Sequence, residues 1–207
     1  LALSENLNNE YLLGYFLDTE TTDSPCLLNV LQFADPWNYT LKIAEKAVGE
    51  SRPKPVDLIE TFNYLIGLQV ARVSEPLAFV PDGKPHRDAD GRLRVKRLRK
   101  ADPGQTGSWK FQTVAGTTLA GEKTLIVWRT LTADRETDSA VLETYLQTLA
   151  INTREQVFDV LYVNGDHTLE NLATTPAADE VGLSANRIFK VRMIETEFRK
   201  RMFAGAS

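Results

Sequence analysis

The 207 residues carry a formal net charge of −4, with 43% hydrophobic and 25% charged side chains, which fits one sizeable globular core and excludes an indiscriminate polycation. No apolar run approaches the ~20 residues that cross a bilayer and no basic-apolar-small leader is read, so a cytoplasmic location with no membrane contact is expected. One cysteine, Cys26, excludes an internal disulfide, and with only two histidines no metal site is expected.

In chain order, Leu13, Tyr15 and Leu17 alternate as a strand over residues 12–19, while Gly14 and the Leu7–Tyr11 spacing leave a helix open. Asp23-Ser24-Pro25 reads as a turn, and 26–33 as a short helix that stops before Asp35-Pro36. Tyr39, Leu41 and Ile43 alternate with polar residues, the pattern of a half-buried strand. Arg52-Pro53-Lys54-Pro55 is stiff and non-helical. The segment 56–68 then places Leu58, Ile59, Phe62, Leu65 and Ile66 on one helical face. Pro55 stands where a first-turn proline is tolerated, Asp57 and Glu60 suit the positive end of the helix, and Gly67 suits a left-handed cap. Val70 and Val73 continue as a strand.

Residues 76–108 hold four prolines and four glycines and read as a flexible, hairpin-like insertion rather than core. Two strands, 109–114 and 123–130, follow, joined by a glycine-flanked turn at 116–121. Leu125-Ile126-Val127-Trp128 is continuously apolar, as in a strand buried on both faces. Val141, Leu142, Tyr145, Leu146 and Leu149 give a helix over 138–150, and 157–163 is a second buried strand. Strand, helix and strand in succession predict a βαβ unit. The chain ends on a charged amphipathic segment with Ile194, Phe198, Met202 and Phe203 on one side. The fold class expected is α/β (mixed α+β): a central mixed sheet, flanking helices and a basic hairpin-like insertion, all in a single domain spanning 1–207.

Two stretches invite a chemical reading. Asp35-Pro36-Trp37 resembles the Asp/Asn-Pro-Pro-aromatic motif with which amino-methyltransferases hold an adenine amino group, but the second proline is missing and Asp-Pro is a common turn opener. Asn164, Asp166 and His167 cluster at the carboxyl end of a buried strand, where α/β proteins often place ligands. A turn, a contact site and acid-base work by His167 with Asp166 all stay open, although no nucleophile accompanies them. An independent small-molecule-binding or hydrolytic domain using these three residues requires a deep, closed pocket there.

Between 84 and 100 the chain carries eight cations: Lys84, Arg87, Arg92, Arg94, Lys96, Arg97, Arg99 and Lys100. Leu93 and Val95 alternate with Arg92, Arg94 and Lys96, so a β-ribbon with one cationic face is expected. Such a face suits DNA phosphates. An acidic protein surface and a solvated hairpin without a partner are the other readings.

The wording of the 56–68 helix, Val56-Asp57-Leu58-Ile59-Glu60-Thr61-Phe62-Asn63-Tyr64-Leu65-Ile66-Gly67-Leu68, resembles the C-terminal region of type III-like DNA adenine methyltransferases, the modification subunits of type III restriction-modification systems. Further blocks resemble that region in the same order. Leu17-Asp18-Thr19-Glu20-Thr21 with Phe33-Ala34-Asp35-Pro36 precedes the helix, and Tyr39-Thr40-Leu41-Lys42-Ile43 stands as its strand. Leu125-Ile126-Val127-Trp128-Arg129, Asp159-Val160-Leu161-Tyr162-Val163-Asn164-Gly165-Asp166 and Ile194-Glu195-Thr196-Glu197-Phe198 follow. The resemblance implies that Asp35-Pro36 is a turn apart from the catalytic motif. It also implies that methyl transfer from S-adenosylmethionine belongs to the rest of the methyltransferase chain, so this piece has no catalytic residue and no cofactor of its own. The opening residue, Leu1 rather than Met, fits a piece of a longer protein. The implied role is an accessory domain for contact with a second modification subunit, a restriction subunit or the DNA backbone.

Overall fold

The computed structural model describes residues 33–44, 51–149, 158–167, 169 and 190–203. The strand expected at 12–19, the turn at 23–25, Cys26 and all but the last residue of the 26–33 helix lie outside them. Two short strands, β1 (Thr40–Ala44) and β2 (Ser51–Pro55), pair antiparallel. They lead into α1 (Leu58–Leu65), whose N-cap is Asp57: its Oδ1 accepts from the Glu60 amide at 2.9 Å. Pro55 therefore closes β2 instead of opening the helix. Gly67, at φ 62°, takes the left-handed position after the helix as expected.

The remaining strands are β3 (Leu68–Val73), β4 (Leu77–Pro81), β5 (His86–Arg87), β6 (Leu93–Arg94), β7 (Leu98–Lys100), β8 (Trp109–Thr118), β9 (Lys123–Arg129), β10 (Val160–Val163) and β11 (Lys190–Met193). Seven of them form one mixed sheet, in the order β11-β10-β9-β8-β4-β7, with β3 also on β8. β9, β10 and β11 run parallel, and the other pairs are antiparallel. Between β9 and β10 lies α2 (Arg135–Thr148), so the expected βαβ unit is present. The last helix, α3 (Ile194–Phe203), follows β11 directly. The architecture is α/β.

Alternation along the two central strands separates two cores. Leu125, Val127, Leu161 and Val163 face α2, where they meet Val141, Leu142 and Leu146. Ile126, Trp128, Val160 and Tyr162 face the opposite layer, formed by Leu58 and Phe62 of α1 with Ile194 and Phe198 of α3. Helices on both faces explain why these strands read as continuous apolar runs. Phe62 lies edge-on to Trp128 and Tyr162 and stacks on Phe198 at 5.7 Å. Removing that ring from a fully buried site costs about 3–5 kcal/mol. In α3, Ile194 and Phe198 are buried but Met202 is exposed, so the apolar face is shorter than its spacing suggests.

Two expectations need correction. The 76–108 segment does not stand apart from the core, because β4 and β7 extend the main sheet and Val95 is buried against α2. Gly116 belongs to β8 and not to a turn. A Cβ there would lie 2.3 Å from the Gln69 carbonyl oxygen, so glycine permits the close approach of β3.

Candidate functional site

At the carboxyl ends of β9 and β10 a polar network sits between the layers. Arg129 is fully buried, and its guanidinium donates to three backbone carbonyls: Asn164 at 3.2 Å, Asp138 at 2.5 Å and Asp166 at 2.7 Å. Burial lowers its pKa to about 10. The Asp138 carboxylate accepts from Trp109 Nε1 at 2.7 Å and from the Thr132 amide and hydroxyl at 2.9 and 2.8 Å. Asn164 Oδ1 accepts from the Arg129 amide at 2.8 Å, and Nδ2 donates to the carbonyls of Phe33 and Arg129 at 3.1 and 2.8 Å. Each polar atom of the Asn164 side chain is thus engaged inside the fold, and no face of it is open to a ligand.

The other two strand-end candidates point elsewhere. The Asp166 carboxylate pairs with Arg135 at 2.8 Å on the surface. His167 is half-buried, with Nδ1 sealed from solvent and without a hydrogen-bond partner among the described residues. Burial, then the Arg129 charge, lowers its pKa. His167 lines a cleft of about 460 Å³ beside α2, shared with Arg92, Glu136, Ser139, Glu143 and Leu169. Asn164 and Asp166 do not line it, so the three candidates do not converge.

Gly165 between Asn164 and Asp166 is set by the fold as well. Gly165, at φ 75°, holds a left-handed position that favours glycine, and a Cβ there would have to displace the Leu131 side chain 2.6 Å away. Its amide donates to Glu195 Oε1 at 2.7 Å. Burial raises the Glu195 pKa, and Oε2 has no hydrogen-bond partner among the described residues. The turn's amide is therefore engaged inside the fold.

Asp35-Pro36-Trp37 is also self-contained. The Asp35 carboxylate accepts from the Trp37 amide at 3.1 Å and from Asn38 Nδ2 at 2.6 Å, as in an Asx turn. The indole donates to Gln112 Oε1 at 2.8 Å, and Lys110 Nζ sits 4.2 Å from the ring centroid. A ring held in this way has one face already taken.

The structure divides the cationic run. Arg87 forms a forked pair with Glu136 of α2, at 2.6 and 2.9 Å. Arg94 bonds Asp88 at 2.8 Å and also pairs with Glu143. These contacts hold Glu136 and Asp88 below their ordinary carboxylate range. Thr144 Oγ1 donates to the Val95 carbonyl at 2.8 Å, so a ladder of contacts along α2 docks the hairpin. The expected ribbon with one cationic face is therefore incomplete: Arg94 points to carboxylates, and Val95 enters the core. Arg92 is exposed at the cleft and also makes contacts of its own. Arg99 lies 3.4 Å from Asp102, a long and exposed pair. Lys84, Lys96, Arg97 and Lys100 are exposed and have no ion-pair partner among the described residues.

Sequence reasoning missed Arg129, Asp138 and Lys110. An arginine closing a buried apolar run was the available signal for the first, whereas Asp138 and Lys110 gave none. Among the described residues, no group of three or more His, Cys, Asp or Glu side chains could hold a metal ion, and no helix is long and apolar enough to cross a membrane. The chain matches no family model, no curated protein and no solved structure.

Proposed function

We propose that this chain is a non-catalytic, cytoplasmic C-terminal domain of a site-specific DNA adenine methyltransferase of the restriction-modification type. It serves subunit assembly, with a second modification subunit or a restriction subunit, and contact with the DNA backbone. The observation that carries this reading is the inward engagement of both stretches that looked catalytic. Asp35 closes its own turn and Asn164 ties β9 to β10, so neither presents a group to a substrate. The resemblance in the six ordered blocks supplies the family, and the exposed cations of the 84–100 segment supply a surface suited to phosphates.

Titrating the whole chain with S-adenosylmethionine and, separately, with duplex DNA tests the proposal. Salt-dependent DNA binding without cofactor binding is expected. Stoichiometric binding of S-adenosylmethionine would overturn the non-catalytic assignment.

A small-molecule site is the second reading, favoured by the cleft that His167 lines. It rests on His167 alone of the three strand-end residues. Asp166→Ala leaves the cleft lining untouched, so this reading predicts no effect of that change on any ligand bound there.

A further inference from the structure

We infer that the face of the sheet opposite α2 carries a diagonal cationic strip, Lys110–Arg99–Arg97, that seats one strand of a duplex DNA backbone. The inference rests on the DNA contact proposed above and gives that contact an address.

The strip follows from the register. Trp109 and Phe111 of β8 belong to the core against α2, so Lys110 between them and Gln112 after them face the other way, toward Trp37. Ala78 of β4 is opposite Lys110, which puts Ala78 and Val80 on the same side as that lysine. Val80 in turn is opposite Arg99 of β7, and the Asp82 amide donates to the Arg97 carbonyl at 2.8 Å. Arg99 and Arg97 therefore share the face of Lys110. Leu98 and Lys100 take the α2 side, where Leu98 packs against the core.

Two strand spacings separate β8 from β7, about 10 Å, and Arg97, just before β7, is about 7 Å from Arg99 along the extended chain. Three cations along an extended line suit a polyanion with regularly spaced charges better than a compact anion. Among the described residues, Asp82 lies opposite Arg97, Asp102 beside Arg99, and Asp35 closes the turn that carries the Trp37 ring under Lys110. The Arg99–Asp102 contact is long and its aspartate 79% exposed, so a phosphate can replace it at little cost. Lys110 already covers a face of the Trp37 ring, which argues for backbone contact over base stacking on that indole. Arg87 and Arg94, tied to α2, are excluded from the contact set.

The test is the salt dependence of duplex binding by the full chain, read by fluorescence anisotropy, for wild type and for the triple change Arg97→Gln, Arg99→Gln, Lys110→Gln. The slope of log K against log salt should shrink by about 2 to 3, close to one unit for each phosphate that the variant no longer neutralises. Arg97→Lys with Arg99→Lys should keep the slope, and Arg87→Gln should leave it unchanged. Circular dichroism melts confirm that each variant is folded. A triple variant that binds duplex with the wild-type slope overturns the strip while leaving the DNA contact in place. Wild type without duplex affinity at about 50 mM salt removes the DNA contact itself. Self-association of the triple variant, with DNA binding unaltered, would assign these cations to protecting the β7 edge and would also overturn the strip. Tighter binding to a single strand than to a duplex would contradict the duplex assignment.

Discussion

Arg129 and Asn164 hold each other at the ends of two parallel strands. The Arg129 amide donates to Asn164 Oδ1 at 2.8 Å, and Asn164 Nδ2 returns a hydrogen bond to the Arg129 carbonyl at 2.8 Å. Both residues are fully buried. The side chain of one residue thereby continues the ladder that the backbones of β9 and β10 began. The third bond, to the Phe33 carbonyl, ties in the segment before β1. A residue with this set of partners stabilises the sheet end, and the chemistry of an amide in a ligand site is not open to it.

Asn164→Ala should therefore behave as a core substitution. It leaves the Arg129 amide and two carbonyls without this partner in a buried site, and each such group costs roughly 1–3 kcal/mol. A loss of about 3 kcal/mol in urea unfolding is expected, with no specific effect on DNA binding by the folded fraction. A loss below about 1 kcal/mol would mean that the site rehydrates easily and is not a structural lock.

Stability should fall in mildly acidic solution because of His167. Burial and Arg129 hold its folded pKa below the ordinary 6.5, so the unfolded chain takes up the proton first. Its contribution is fully present above that value and is lost as pH falls through the lowered folded pKa. Asp88 and Glu136 are also held below their ordinary values of 3.8 and 4.5, so their contribution is lost only as pH falls further. Urea midpoints between pH 8 and pH 4 should show the first step in wild type and not in His167→Gln. A step that persists in the variant assigns it to another group.

Docking of the β5–β6 hairpin depends on α2. Arg94→Ala removes the pairings with Asp88 and Glu143 together. Amide hydrogen exchange should quicken across 86–95 while β9 and β10 keep their protection, because the hairpin is a small ladder attached to an intact core. Equal acceleration in β9 would show that the hairpin and the sheet open as one unit.

Much of the fold is legible in the sequence where the period is strong. The runs Leu125–Trp128 and Val160–Val163 have apolar side chains on both faces, and the helical spacing of Leu58 and Phe62 points to a core. Legibility ends where polar residues do structural work. The helix α2 starts at Arg135 under an Asp134 cap, three residues before its expected start, because its first turn is charged and carries no apolar period. β11, Lys190–Met193, mixes cations with apolar residues, and no strand is expected there from the sequence. Val95 lies among basic residues, so its burial depends on Thr144 and the sheet around it, partners distant in sequence. Asn164 shows the same limit in the site. Its residue type and strand-end position fit a ligand contact, and only Arg129 and Phe33 in space reveal an internal brace.

The central claim is that this chain contributes contact with DNA and not methyl-transfer chemistry. Duplex binding by the wild-type chain, measured as log K against log salt between about 50 and 200 mM, tests it most directly. A linear decline with salt, unaffected by saturating S-adenosylmethionine, is predicted. Absence of duplex binding across that range, or affinity that appears only when the cofactor is added, would contradict it.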